Sequence, residues 1–275
     1  MNRYLKTVFC FILCAFLLAG CSFDISGKDI TFNKDGIGNA IDAVKPKDVT
    51  GEMNFESITP SDGIPVRKLK FENISFTGAE EAKILIIPSD ETKVEASYPI
   101  RMHEHNFRIS VREGEIEISV PKQTNFKADK FEIKIYANIE EIDISGGIAL
   151  EMDAKNSKRI HLEAKGGADI YIYNIAAESF ETDIAGAASM NLSGETENFE
   201  VELAGAGALD AKSLICRNAD IEISGAGTAE VSVTDKLFAD MDGVGSLRYY
   251  GDPLVENISA GLTDVEQVSK EVYGG

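Results

Sequence analysis

The chain has 275 residues and a formal net charge of −19, with 46 acidic side chains against 27 basic ones. Such a charge excludes the phosphate backbone of nucleic acid as a partner, and it excludes docking on anionic lipid through a basic patch. Hydrophobic residues at 44% can furnish a core, and with no Trp and only 8% aromatics that core is expected to rest on small and aliphatic side chains.

Residues 1–20 read as a secretory signal: Arg3 and Lys6 supply a basic start, Val8 to Leu18 an apolar run, and small residues follow. The run is too short for a spanning helix. Its ending, Leu18-Ala19-Gly20-Cys21, is similar to the lipobox of bacterial lipoproteins, which implies cleavage before Cys21 and lipidation of its thiol. Two acyl chains hold firmly, each buried CH₂ contributing roughly 0.8 kcal/mol. The expected location is therefore extracytoplasmic, on a lipid membrane through Cys21, with the outer or cytoplasmic membrane undecided. Loss of the signal leaves 25 basic against 46 acidic side chains. Of four cysteines, Cys10 and Cys14 depart with the signal and Cys21 takes the lipid, so Cys216 remains alone and reads as a small buried residue.

Residues 21–65 are rich in Ser, Gly, Asp, Lys and Asn and hold no period. They read as a flexible tether with a short helix near Ile37 to Val44, reaching roughly 35 Å if roughly 40 residues are unstructured.

Residues 66–270 read as the head. Within it, 66–129 are irregular coils or a cap: Leu69 to Phe71, Ile74 to Phe76, Ile84 to Ile87, Phe107 to Val111 and Glu115 to Val120 are strand-like, broken by Pro88, Pro99 and Pro121. Residues 130–270 form a regular repeat. Its turn glycines are Gly146, Gly166, Gly186, Gly205, Gly225 and Gly243, with a degenerate seventh turn at Ala260, at spacings of 20, 20, 19, 20, 18 and 17. Two residues before each glycine stand Ile144, Ala164, Ile184, Leu203, Ile223 and Met241; four after stand Leu150, Ile170, Met190, Leu209, Ala229 and Leu247. Both arms alternate with period two, so each is a strand with one buried face. The expected fold is all-β: a right-handed parallel β-helix, a two-sheeted β-solenoid with coils of about 20 residues stacked about 4.8 Å apart.

The stretch Leu69 to Ser97, the turns Ala204-Gly205-Ala206-Gly207, Ser224-Gly225-Ala226-Gly227 and Asp242-Gly243-Val244-Gly245, and the ending Leu247-Arg248-Tyr249-Tyr250-Gly251-Asp252-Pro253 resemble the putative auto-transporter adhesin, head GIN domain family. The resemblance runs from about Val66 to Val268. It implies a right-handed parallel β-helix of the pectin-lyase type, no catalytic residues and a role in adhesion. Gly146-Gly147, Gly166-Gly167 and Gly186-Ala187 depart from the GxG form.

Outward positions carry the candidate chemistry. Three residues before each turn glycine stand Asp143, Glu163, Asp183, Glu202, Glu222 and Asp240; five before stand Glu141, His161, Glu181, Glu200, Asp220 and Phe238. Stacked in register, these make two carboxylate ladders, and like charges in register repel. A solvated, aggregation-resistant face is the plain reading, and a weak divalent-cation or basic-partner surface the sharper one. His103 and His105 are expected to share a strand face as a surface pair. With three His in the chain and no Ser, His and Asp arrangement, catalysis is not expected. An enzyme acting on polysaccharide is the alternative; it needs clustered Asp with Arg or Lys on one outer face, whereas the acidic ladder has few basic companions, Lys165 and Arg248 belonging to different coils, and loss of turnover on removing Asp183 and Glu202 is its test. No cofactor is expected. The reading is a non-enzymatic surface lipoprotein that binds a glycan or protein ligand, or serves a purely structural role in the envelope, with homo-oligomerisation open.

Overall fold

The computed structural model describes residues 46–76, 82–128 and 130–268. The signal, Cys21, most of the tether and its expected helix lie outside the described residues. No helix among the described residues is long and apolar enough to cross a membrane.

The described chain is almost entirely strand. In order come β1 (Lys47–Asp48), β2 (Met53–Ile58), β3 (Lys68–Phe76), β4 (Ala82–Ile87), β5 (Lys93–Pro99), a 3₁₀ helix (Ile100–His105), β6 (Arg108–Arg112), β7 (Glu115–Lys127), β8 (Phe131–Tyr136), β9 (Glu141–Asp153), β10 (Arg159–Tyr250) and β11 (Leu254–Val268). Two of these, β1 and β2, fall in the stretch expected to be tether, yet β1 pairs with β7 and β2 with β5.

All eleven strands join one sheet, in the order β1-β7-β3-β9-β4-β8-β5-β2, with β10 and β11 continuing from β9 and β6 beside β7. Strand β10 is 92 residues of continuous sheet, bent where Asn174 adopts φ 55° and where its glycines adopt positive φ. Fully straight it would run roughly 300 Å at about 3.3 Å per residue, so it must curl back on itself. It first pairs parallel with β9, from His161 opposite Glu141 to Tyr173 opposite Asp153, an offset of 20 residues. It last pairs parallel with β11, from Lys236 opposite Leu254 to Tyr250 opposite Val268. Between those ends Gly186 packs on Gly166, Gly205 on Gly186, Gly225 on Gly205 and Gly243 on Gly225.

The expected right-handed parallel β-helix of two sheets is not the architecture formed, and the pectin-lyase type implied by the resemblance falls with it. The sheet is single, mixed and curled into a half-barrel. Antiparallel pairs join β2 to β5, β5 to β8 and β6 to β7, while the remaining pairs are parallel. Two physical features cause the difference. Backbone pairing continues through Gly146 and Gly166, so the arms on either side of these glycines belong to one bent sheet instead of two faces meeting at a corner. Upstream, the chain reverses: Glu113 and Gly114 both adopt positive φ, at 52° and 80°, as a two-residue hairpin turn between β6 and β7 requires.

Proline does not end β7. Pro121 lies where the register slips, between Ser119 opposite Glu72 and Thr124 opposite Ile74. Asn73, at φ 63°, faces this bulge and donates from Nδ2 to the Val120 carbonyl at 3.1 Å. A bulge is where a sheet tolerates a residue that cannot donate to the ladder.

Alternate residues of every strand enter one continuous core. Its upstream part is aromatic, with Phe131 beside Phe76 (ring centroids 4.6 Å), Phe107 (6.0 Å) and Phe71 (6.4 Å). In the repeat it is mainly aliphatic, as in Ile142, Leu162, Ile184, Leu203, Ile223 and Leu247, with Phe180 against Phe199 at 5.7 Å. Burial of such aliphatic side chains contributes about 1.5–3 kcal/mol each and accounts for a sheet without disulfides.

Candidate functional site

The outward rows of β9 and β10 begin with compensated charge. Glu141 and Asp143 stand on β9, and the parallel strand β3 brings Lys68 opposite Glu141 and Lys70 opposite Asp143. Lys68 Nζ donates to Glu141 Oε1 at 2.5 Å and to Asp143 Oδ2 at 2.9 Å. Its hydrogen bonds to Glu141 and then to Asp143 raise the Lys68 pKa. One position further on, Glu163 lies opposite Asp143 in register and is bridged by Lys165.

Beyond this point compensation fades. Glu181 and Asp183 face His161, with His161 Nδ1 at 3.4 Å from Glu181 Oε2. The candidate ligand atoms of the three residues lie within 4.8 Å of one another. Next along the row stands Glu200. Partial desolvation raises its pKa first, and the negative charges of Glu181, Asp220, Asp183 and Glu222 raise it further. Asp220 is raised by desolvation alone. Glu202 and Glu222 are exposed. Asp240 is half-buried and opposes Ser259 of β11, so the acidic row ends there.

The opposite arm of the repeat differs. There Lys212 bridges Asp210 and Glu230, and Arg248 bridges Glu230 and Glu266, so acids and bases alternate. Arg248 thus stands on this arm, whereas Lys165 pairs with Glu163 on the other, so the two cations do not share one face. On the side before the glycines, by contrast, the row Glu181, Asp183, Glu200, Glu202, Asp220 and Glu222 includes no lysine or arginine. A shallow groove of about 410 Å³ borders it beside His161 and Glu181, with Glu140, Arg159, Glu178 and Glu197 on its walls.

The other candidates separate. His103 and His105 lie in the 3₁₀ helix, not on a strand, and diverge: His103 Nε2 is 3.3 Å from the Tyr98 hydroxyl, and the His105 ring packs edge-on to Phe126 at 5.5 Å. The Tyr98 hydroxyl also accepts from Asn54 at 2.8 Å, and burial pushes its pKa up to about 12. Cys216 is buried, its thiol 3.2 Å from the Ser232 carbonyl, and burial pushes its pKa up to about 12. Sequence reasoning missed Lys68 as the clamp on the first two acids. The available signal is that Lys68 and Lys70 alternate with Leu69 and Phe71 as Glu141 and Asp143 alternate with Ile142 and Ile144.

No curated protein matches the chain. Solved structures share its fold at low identity. A crystal structure described as a putative adhesin from Bacteroides fragilis is 17% identical, with a TM-score of 0.67, covering 81% of this chain and all of that one. Another so described, from Parabacteroides distasonis, is 20% identical with a TM-score of 0.55 over 81% of this chain and all of its own. A third, from Parabacteroides merdae, is 18% identical with a TM-score of 0.53 over 80% of this chain and 99% of its own. The sequence match is more specific than these: over residues 70–253 the chain belongs to the family described as putative auto-transporter adhesin, head GIN domain.

Proposed function

We propose that this protein is a non-enzymatic adhesin of the bacterial surface, held by lipid on Cys21, whose half-barrel sheet offers its acidic side to a protein or glycan ligand bearing positive charge. The observation that carries the reading is the row Glu181, Asp183, Glu200, Asp220 and Glu222, in which Glu200, its pKa raised first by desolvation and then by the other four acids, has no lysine or arginine beside it in the row. Maintaining such repulsion on a rigid sheet costs stability, and a cationic ligand relieves it. Family membership supports adhesion, and the Leu18 to Cys21 motif supports the anchor.

The test immobilises the protein and measures retention of cells, glycans and basic proteins. Selective retention, weakened by raised salt and by Glu200→Lys with Glu222→Lys, supports the reading. Retention of nothing, with normal adhesion by a deletion strain, leaves a structural envelope component instead. Cys21→Ser tests the anchor separately, since it is expected to release the protein from the membrane fraction.

A further inference from the structure

The geometry points to a binding site for a divalent transition-metal ion of the zinc class at His161, Glu181 and Asp183. This inference stands apart from the adhesion reading, since it rests on ligand identity and spacing. The three residues arrive from successive passes of the curled sheet: His161 opposes Glu141 on β9, and Glu181 and Asp183 follow one repeat later along β10. Their ligand atoms lie within 4.8 Å of one another. Zinc bound at about 2.1 Å in tetrahedral geometry places its ligands roughly 3.4 Å apart. The separation of His161 Nδ1 and Glu181 Oε2 is 3.4 Å, so one edge of that tetrahedron exists already. Half-buried Asp183 holds a carboxylate oxygen within 4.8 Å of both, near enough to be drawn in as the third ligand.

Ligand chemistry selects the ion. Calcium and magnesium take oxygen donors, whereas one imidazole nitrogen with two carboxylates suits zinc and its first-row neighbours. The location within the row is equally selective. Before it, Lys68 occupies Glu141 and Asp143, and Lys165 occupies Glu163. After it, Glu200, Glu202, Asp220 and Glu222 include no nitrogen ligand. Only here does the row combine a nitrogen donor with two acids that no lysine bridges among the described residues. A divalent cation would also lower the negative potential that Glu181 and Asp183 impose on Glu200. The bordering groove leaves room for water or a partner's side chain to complete the coordination.

The test titrates the full-length protein with zinc chloride by calorimetry at neutral pH, with cobalt(II) absorption as a ligand-sensitive second readout. One zinc equivalent is expected, along with a cobalt spectrum showing nitrogen ligation. His161→Ala and His161→Gln are each expected to weaken zinc at least about tenfold. Glu222→Gln is expected to leave it unchanged, with circular dichroism confirming that every variant is folded. Absence of zinc binding overturns the inference. So does zinc binding that both histidine variants retain, or calcium binding as tight as zinc, because either result describes a diffuse acidic surface.

Discussion

Gly186 packs so closely on Gly166 that a Cβ added to Gly186 would fall on the Gly166 carbonyl oxygen and lie 3.0 Å from its nitrogen. Gly186 also holds φ at 141°, which side-chain-bearing residues resist. Gly186→Ala therefore combines backbone strain with collision against backbone that cannot rotate away. A loss of about 2–5 kcal/mol is expected in urea denaturation. Gly51 provides the control: its φ is 127°, but a Cβ there meets nothing within 4 Å. Gly51→Ala should cost only the strain, about 1 kcal/mol. Equal losses at the two sites would deny that close stacking is what demands glycine.

Phe131 is fully buried and touches Phe71, Phe76 and Phe107. Phe131→Ala leaves a cavity that three aromatic rings cannot all fill. The expected cost is about 3–5 kcal/mol by chemical denaturation, and a loss below about 1 kcal/mol would mean that the upstream strands are not packed as described.

Glu200 has a raised pKa in the folded state, so the folded protein holds that proton more tightly than the unfolded chain. Its contribution to stability is unfavourable at neutral pH, improves as pH falls through the folded value, and has fully recovered below the unfolded value of about 4.3. Glu200→Gln should consequently raise the melting temperature at pH 7 by about 1–2 °C, a modest amount because solvent screens this exposed group. The gap between variant and parent should close below about pH 4. A variant less stable than its parent at pH 7 would contradict mutual repulsion in this row.

Lys68 bridges Glu141 and Asp143, so Lys68→Met leaves two neighbouring acids without their cation. The expected loss is about 1 kcal/mol at low salt, shrinking in 0.5 M sodium chloride at roughly a threefold shorter screening length than in 0.05 M. A loss that does not respond to salt would assign Lys68 a packing role through its aliphatic stem.

The Cys216 thiol is buried, and that burial pushes its pKa up to about 12. At pH 8 it should resist a disulfide exchange reagent in the native protein and react fully in guanidinium, as followed by thiolate release. Rapid native labelling would show that the strand carrying it opens readily.

Several features were legible in the residues alone because their cause is local. Period-two alternation put Ile142, Leu162, Leu203 and Ile223 indoors and their acidic neighbours outdoors, and spacing identified the glycines that meet one another. The Glu113-Gly114 pair between two alternating strands is a local hairpin signal of the same kind. Strand direction was less accessible. Alternation reads the same in parallel and antiparallel neighbours, so the antiparallel pairs of β2, β5 and β8 left no mark on the pattern.

By itself, then, the sequence determined an all-β chain, its buried and exposed rows, the glycines that close approach demands and an acidic outer face, since each follows from a side chain's own chemistry and its nearest neighbours in the chain. Only the tertiary structure decided that one curled mixed sheet forms, that Lys68 reaches Glu141, 73 residues away, and that His161 meets Glu181 and Asp183. Those outcomes depend on which strands pair and in which direction, and the core stabilises that choice through contacts between residues far apart in the chain.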